Sequence, residues 1–275
     1  MRTLPALVVA FVIAAVLAPD AARAQDSTAV SAPALSREEM ETFLLRARVM
    51  KKRGAGKGVT GTVRATLSDG ILTHDASIQT VDEARLHHPT PRGFEINFRD
   101  TWRFNVAAYK LDKLLDLRMI PATVERSHAG KKASFTWWVD DVLMDEGRRL
   151  ETKTSPPDSG RWNEQMWIVR VFDQLIYNVD RNVGNLLIDK GWRFWMIDHS
   201  RAFRRHRTLL DAKNLTRCDR GLLDRLRELD ADTLEKEMRG YLDADEIEAL
   251  LARRDLIVAH FDAAGPAALY VARRE

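Results

Sequence analysis

Hydrophobic residues recur every three to four positions in several stretches of the chain, and this period predicts amphipathic helices. The first helix should begin at Ser36, because Ser36 and Glu39 have the spacing of a capping box. It should continue to about Met50, with Gly54 as its C-terminal cap. Further helices are expected over residues 102–116, 162–179 (the longest buried helix), 222–229, 231–242 and 245–263.

Other stretches alternate between hydrophobic and polar residues, the pattern of strands with one buried face. Residues 58–67 alternate in this way, and the turn signal Ser68-Asp69-Gly70 precedes a returning strand within residues 71–81. Residues 86–92 contain two histidines and two prolines and are expected to form a loop. Further strands are expected over residues 123–126 and 134–139, and a β-hairpin over residues 186–197.

The N-terminal residues have the pattern of an export signal. Arg2 precedes an uninterrupted apolar run over residues 6–18, and Ala22-Arg23-Ala24 then predicts cleavage before Gln25. The apolar run is shorter than the roughly 20 residues that span a bilayer, so no stable membrane span should remain after cleavage. We therefore expect a signal peptide over residues 1–24 and a periplasmic or secreted protein; an uncleaved membrane anchor is the alternative.

Composition narrows the possible chemistry. The 275 residues carry 43 Lys and Arg against 40 Asp and Glu, a net charge of +3, so binding of nucleic acid through bulk positive charge is not expected. The single cysteine, Cys218, excludes an intrachain disulfide and a zinc site built from several cysteines. Candidate chemistry therefore rests on carboxylates and amides.

Two acids and one amide have the spacing of a phosphoryl-transfer site. Asp180 and Asn185 stand at the Asp-to-Asn interval of a kinase catalytic loop, D-x-x-x-x-N. Asp198 follows the predicted hairpin, which returns the chain to the vicinity of Asn185. We expect Asp180 to accept the proton of an acceptor hydroxyl, and Asn185 and Asp198 to bind Mg²⁺ or Mn²⁺ through oxygen.

The same segments resemble the atypical kinases, including the phosphatidylinositol-kinase-like and HipA-like proteins and, most closely, the secretory-pathway kinases of the Golgi casein kinase type. Residues 172–181 resemble their F-D-x-L-x-x-N-x-D-R segment, and residues 197–203 resemble their L/I-D-x-x-x-x-F metal segment. Residues 105–116 look like the family's αC helix, and Gly61-Thr62 looks like the remnant of its glycine loop.

The resemblance implies an α+β, bilobal, protein-kinase-like fold. After a leader and N-terminal helix over residues 25–57, it places a small β-rich N-lobe at residues 58–142 and a mainly helical C-lobe at residues 143–275. It also implies ATP or another nucleoside triphosphate with Mg²⁺ or Mn²⁺ as cofactors. The acceptor would be a hydroxyl on a protein, a sugar or a small molecule.

The chain departs from this family at two positions that contact nucleotide. Gln79 stands where the family has a lysine for the phosphates, and Asn105 stands where αC has the glutamate that pairs with it. We expect this amide pair to contact nucleotide together with Gly61, Asn185 and Asp198. Arg64, Arg103 and Lys57 are alternative sources of the positive charge that a lysine would supply.

Two other functions stay open at this level. Loss of the lysine and the glutamate favours a pseudokinase that acts as a binding module, whereas the carboxylates alone would also suit a metal-dependent hydrolase. Arg181 is either part of the site or a structural ion pair. The basic residues after Asp198 form either a site for an anionic substrate or a solvated charged face; they are Arg201, Arg204, Arg205 and Arg207.

Overall fold

The structure is a computed structural model that describes residues 35–54, 62–90 and 93–273. The predicted signal peptide, Lys57 and Gly61 lie outside these ranges. Within them, no helix is both long enough and apolar enough to cross a membrane.

The chain order of elements separates a strand-rich first half from a helical second half. The strands are β1 Arg48–Gly54, β2 Val63–Ser68, β3 Thr73–Gln79, β4 Asp82–Thr90, β5 Gly93–Thr101, β6 Thr123–His128, β7 Lys131–Trp137, β8 Val142–Asp145, β9 Leu186–Asp189, β10 Phe194–Met196, β11 Cys218–Asp219 and β12 Leu269–Tyr270. The helices are α1 Arg37–Arg46, α2 Trp102–Leu114, α3 Glu146–Thr152, α4 Ser159–Leu175, α5 Arg220–Glu228, α6 Ala231–Glu237 and α7 Ala244–Ala264.

An antiparallel sheet with the strand order β1-β2-β3-β7-β6 forms the first half. Its buried face includes Leu67, Ile78 and Phe135, and helix α2 packs against β6 and β7. This arrangement confirms the expected α+β class, with a β-sheet in the N-terminal region and helices in the C-terminal part. The exact lobe boundaries at residues 58–142 and 143–275 stay predictions.

Helix α1 begins as predicted but ends earlier. Ser36 and Glu39 form both hydrogen bonds of the capping box, at 2.7 and 3.2 Å. The helix stops at Arg46, and residues 48–54 form the edge strand β1 instead of a last helical turn. Pairing with β2 outweighs the local helical pattern here. Lys51, Lys52 and Arg53 lie exposed on this edge strand, where their charge opposes pairing with other chains.

The expected loop over residues 86–92 was wrong, because residues 82–90 form β4. This strand pairs with β5 in an antiparallel hairpin that leads directly into α2. The His88 ring stacks on Phe98 at 3.9 Å between centroids, a contact that sequence-local turn signals do not reveal. Pro89 is tolerated because this two-stranded ribbon has no inner strand.

Helices α4 and α7 form the centre of the second half. Helix α4 ends at Leu175, short of the predicted residue 179, because Tyr177 adopts a left-handed backbone conformation with φ +49°. Helix α7, with 21 residues, is longer than α4, with 17, so the expected ranking was also wrong. The predicted hairpin over residues 186–197 is present as β9 and β10.

The side chain of Arg253 connects α7 to the chain segments around the site. Arg253 is fully buried, and its guanidinium donates to the backbone oxygens of Leu175 at 2.7 Å and Arg204 at 2.8 Å, and to that of His206. Burial lowers the pKa of Arg253 to about 10. Helix α7 therefore fixes both the end of α4 and the segment that follows Asp198.

Candidate active site

A buried ion pair supports the loop that carries Asp180. Arg181 Nε lies 3.0 Å from Asp173 Oδ2, and both side chains are mostly buried. Arg181 Nη1 also donates to the backbone oxygens of Asn185 at 2.9 Å and Ile197 at 3.1 Å. One guanidinium thus connects the end of α4, the loop after it and the segment after β10. Arg181 therefore has the structural role that the sequence left open.

His199 also contributes to this support, through a contact with Arg181. Arg181 Nη2 lies 3.0 Å from His199 Nε2, so the imidazole nitrogen accepts a hydrogen bond from the guanidinium. His199 is fully buried, and burial lowers its pKa well below the ordinary value, with the Arg181 charge acting in the same direction. A neutral imidazole at this position fixes the backbone next to Asp198 without adding charge to the site.

Asp180 lies on the loop between α4 and β9, with its side chain 43% exposed. Its backbone N–H donates to Asn178 Oδ1 at 3.1 Å, which holds the loop in place. Partial burial raises the pKa of the Asp180 carboxyl; Arg201 opposes this shift and the negative charge of Asp198 adds to it. A carboxylate with a raised pKa is a better proton acceptor, so the environment suits a general base.

The predicted metal-binding residues lie beside Asp180. The Asn185 amide donates to the backbone oxygen of Asp180 at 3.3 Å, and the Ile197 N–H donates to the backbone oxygen of Asn185 at 3.1 Å. Asp198 follows directly, with a left-handed backbone at φ +54° that is unusual for aspartate. The structure thus brings Asp180, Asn185 and Asp198 into one neighbourhood, as the motif spacing predicts.

A chain of neutral hydrogen bonds connects the sheet, α2 and the Asp198 segment. Asn105 Nδ2 donates to Gln79 Oε1 at 2.5 Å, and the His199 backbone N–H donates to Asn105 Oδ1 at 2.8 Å. Gln79 Nε2 donates to Thr62 Oγ1 at 2.9 Å and lies 3.4 Å from Asp198 Oδ1. Gln79 and Asn105 are each 6% exposed. Two buried neutral amides therefore join β3 to α2 and to the segment around Asp198.

The arginines considered as replacements for the lysine are engaged elsewhere. Arg64 pairs with Asp75 at 2.6 Å and stacks on Trp138, and Arg103 pairs with Asp82 at 3.2 Å. Neither contact belongs to the Gln79–Asn105 network. Of the three candidates, only Lys57, outside the described ranges, is left without a structural assignment.

The basic residues after Asp198 are matched by acids rather than forming an open cationic patch. Arg201 lies 2.8 Å and Arg204 lies 2.6 Å from the carboxylate of Glu95 on β5. Arg201 also approaches Asp180 at 4.0 Å, so a guanidinium stands beside the candidate base. The remaining pairs are Arg205 with Asp243 and Asp245, and Arg207 with Glu248.

Asp100 is a further acid near Asp198, and it belongs to none of the sequence motifs. Asp100 is the penultimate residue of β5 and is 7% exposed. The Thr101 N–H donates to the backbone oxygen of Ser200 at 2.9 Å, which joins the end of β5 to the segment after Asp198. Burial raises the pKa of Asp100, and the charge of Asp198 contributes to this shift. The useful signal would have been an acid just before the αC-like helix.

The side chains available as metal ligands determine which ion the site can bind. Among the described residues, no three side chains of His, Cys, Asp and Glu converge on one point, so a closed metal cage is absent there. Asn185 and Asp198 supply hard oxygen donors, and Mg²⁺ and Mn²⁺ in nucleotide sites take most of their other ligands from phosphate and water. The residues therefore fit a divalent ion that arrives with a nucleotide.

A cavity of about 470 Å³ lies next to the β4–β5 hairpin. It is lined by residues 80–83, Trp102, Lys131 and Lys132, and by none of the predicted catalytic or metal-binding residues.

The comparisons with known proteins concern the fold. No protein-family model and no curated protein sequence matches the chain. The structure of hydra Fam20 with sugar is similar to it, with a TM-score of 0.64 at 15% identity over 86% of this chain and 93% of that chain. The Golgi casein kinase has a TM-score of 0.61 at 14% identity, over 86% of this chain and 77% of its own.

A structure of the Golgi casein kinase with Mn/ADP bound is equally similar, with a TM-score of 0.61 at 14% identity over 86% of this chain and 78% of that chain. At this level of identity, the similarity establishes the fold and not the activity. Together with the sheet, helix α2 and the helical second half, it shows that the chain has a kinase-like α+β fold, similar to that of these solved structures.

Proposed function

We propose that this protein is an exported kinase-like phosphotransferase that moves the γ-phosphate of a nucleoside triphosphate to a hydroxyl acceptor. The observation that carries the proposal is the gathering of Asp180, Asn185 and Asp198 beside one another on a kinase-like fold. Asp180 is the catalytic base, and Asn185 and Asp198 hold Mg²⁺ or Mn²⁺. Such an ion, when bound, neutralises charge on the phosphates.

Asp180 receives the acceptor's hydroxyl proton and orients its oxygen for attack. Its raised pKa favours proton acceptance, and the charge of Arg201 at 4.0 Å opposes the rise. The Asp173–Arg181 pair keeps the Asp180 loop and the Asp198 segment in register, because Arg181 contacts backbone oxygens in both. These residues account for positioning and proton transfer.

In this proposal the Gln79–Asn105 amide pair contacts the nucleotide, and it binds phosphate more weakly than a charged pair would. Gly61 contacts the nucleotide together with Gln79 and Asn105. An amide offers a dipole where the related kinases have a full positive charge, so we expect lower nucleotide affinity and slower transfer than with a lysine.

Metal-dependent nucleotide binding tests the proposal directly. The melting temperature of the mature chain is measured with ATP, ADP or GTP, each with Mg²⁺, Mn²⁺ or EDTA. A bound nucleotide stabilises the folded state by RT ln(1 + [L]/Kd), so a rise that depends on both ligand and metal is expected. No rise with any nucleotide and metal would contradict the proposal.

A catalytically inactive binding module is the second candidate, and one observation favours it. The polar atoms of Gln79 and Asn105 are satisfied by Thr62, Asp198, His199 and each other, so the network holds together without a nucleotide. Partner binding that survives Asp198→Ala, together with no phosphate transfer by the wild type, would select this candidate.

Export is part of the proposal and rests on residues 1–24. N-terminal sequencing of protein recovered from the cell envelope or medium should begin at Gln25. Recovery of the intact N-terminus in the membrane fraction would favour the uncleaved anchor instead. An exported location also requires a nucleotide supply outside the cytoplasm, so the nucleotide panel should include donors other than ATP.

A further inference from the structure

Glu95, on strand β5, holds two arginines of the segment that follows Asp198. Its carboxylate lies 2.8 Å from the guanidinium of Arg201 and 2.6 Å from that of Arg204. The Glu95 side chain is 23% exposed and the Arg204 side chain is 6% exposed. Charges that are partly withdrawn from water attract each other more strongly than charges on the surface. Glu95 therefore determines where these two guanidinium groups lie.

Further contacts keep β5 and this segment together. The Thr101 N–H donates to the backbone oxygen of Ser200 at 2.9 Å. Arg204 Nη1 donates to the backbone oxygen of Arg99 at 2.7 Å. The Arg204 guanidinium also lies over the Phe98 ring, 5.5 Å from its centroid. The β4–β5 hairpin and the segment therefore form one packed unit.

Arg201 stands between two acids on different parts of the chain. Its guanidinium is 2.8 Å from Glu95, whereas its Nη1 atom is 4.0 Å from Asp180 Oδ2. Because Coulomb attraction falls with distance, Glu95 is the stronger of the two partners. Without the Glu95 carboxylate, the flexible Arg201 side chain would turn towards Asp180, the second acid with which it makes an ion pair.

Such a turn would close off the candidate base. The Asp180 side chain is 43% exposed, and a guanidinium in direct contact would cover part of that surface. A general base must lie within hydrogen-bond reach of the proton that it accepts, and a direct ion pair occupies the lone pairs that an acceptor hydroxyl needs. The distance of 4.0 Å between Arg201 and Asp180 therefore matters for access to the base.

We propose that Glu95 is a positioning residue that holds Arg201 away from Asp180 and so keeps the base open to the acceptor hydroxyl. This inference rests on the proposed phosphotransferase function, in which Asp180 is the base. Through this one guanidinium, the β4–β5 hairpin acts on the reaction although Glu95 itself transfers neither a proton nor a phosphate.

Chemical labelling of the Asp180 carboxylate tests the contact without reference to catalytic rate. The protein is treated with a water-soluble carbodiimide and glycine ethyl ester, and the labelling rate of Asp180 is followed by peptide mass spectrometry. In Glu95→Gln the rate should fall about twofold to fivefold, as for formation of a partly exposed ion pair. It should return to the wild-type value in the double variant Glu95→Gln/Arg201→Gln, which has no guanidinium to cover Asp180.

The matched control is Glu83→Gln, because Glu83 is an exposed acid of the same hairpin that pairs with Arg85. Its substitution removes the same charge and should leave the labelling of Asp180 unchanged. If Glu95→Gln does not fold, Arg201→Gln alone keeps the test valid. Its labelling should stay within about twofold of wild type, whereas a larger rise would show that Arg201 already covers Asp180 and would overturn the inference.

Phosphate transfer separates positioning from general support of the fold. Transfer of radiolabelled phosphate should fall in Glu95→Gln and recover in Glu95→Gln/Arg201→Gln, whereas a merely structural role predicts a further fall in the double variant. Unchanged labelling in a folded Glu95→Gln, or no recovery in the double variant, would overturn the inference and leave the phosphotransferase proposal standing. Absence of transfer and of metal-dependent nucleotide binding in the wild type would instead overturn the proposed function itself.

Discussion

The supports on the two sides of the candidate site are built from different chemistry. The first, which we call the lower support, is the Asp173–Arg181 ion pair, which fixes the Asp180 loop with full charges and several backbone contacts. The second, the upper support, is the Gln79–Asn105 pair, which connects the sheet to α2 through neutral amides only. The lower support therefore carries full charges, whereas the upper one is neutral. The two sides of the site differ in charge although both are held by largely buried hydrogen bonds.

The largest effect should come from Asp180, the proposed base on the loop that the lower support fixes. Asp180→Asn removes proton acceptance and should reduce phosphate transfer about a hundredfold to ten-thousandfold. Transfer of radiolabelled phosphate, to the protein itself or to a panel of hydroxyl acceptors, measures this loss. The control is Asp141→Asn, because Asp141 is an exposed acid that pairs with Lys190 on the surface. A variant at Asp180 that retains transfer within tenfold of wild type would remove Asp180 from the mechanism.

The next largest effect should come from breaking the lower ion pair. Asp173→Ala leaves Arg181 buried without its carboxylate and should lower the free energy of unfolding by about 3–5 kcal/mol. Urea denaturation measures the change. The exposed Arg148–Glu151 pair provides the comparison, since Glu151→Ala should cost less than about 1 kcal/mol. Equal costs for the two variants would show that the buried pair has no special structural weight.

The upper support should be weaker but measurable. Asn105→Ala removes the partner of Gln79 Oε1 and of the His199 N–H, so it should lower the free energy of unfolding by about 2–3 kcal/mol. The same denaturation experiment applies. Double substitution with Gln79→Ala should cost less than the sum of the single changes, because the two residues share one hydrogen bond. Simple additivity would mean that the amide chain is not a connected unit.

The smallest effect concerns a contact between the β4–β5 hairpin and α7. Glu246 is buried beside Arg99 at 2.8 Å, and burial raises its pKa to about 7. The folded state therefore retains a proton that the unfolded state has released, so the free energy of unfolding should fall as pH rises from 4.5 to 7. The fall should be about 1–2 kcal/mol. Comparing wild type with Glu246→Gln across this range isolates it, and parallel curves would contradict it.

Sequence alone predicted the part of the site that is local in the chain. Asp180, Asn185 and Asp198 lie on one loop and one hairpin, so spacing and turn chemistry placed them close together. The Gln79–Asn105 contact also exists, although its role in binding nucleotide stays a prediction. The α+β kinase-like fold could be predicted for the same reason, because the most specific segment of the resemblance is continuous in sequence. The similar solved structures confirm this fold.

Contacts between distant segments limited the remaining predictions. Strand β1 pairs with β2, and the β4–β5 hairpin depends on His88 stacking on Phe98, so neither follows from local propensity. Asp100 was missed because its significance comes from Ser200 and Asp198, which lie about a hundred residues later in the chain. Motif spacing describes residues that are close in the sequence. It does not reveal contacts between segments that are distant in the sequence.

The buried guanidinium of Arg253 determines when the site can form. Its hydrogen bonds reach Leu175, 78 positions earlier, and Arg204, 49 positions earlier. Every residue of the candidate site precedes α7 in order of synthesis, yet the alignment of the loop that follows α4 depends on that last long helix. A nascent chain therefore lacks an assembled candidate site until nearly all of it has been made.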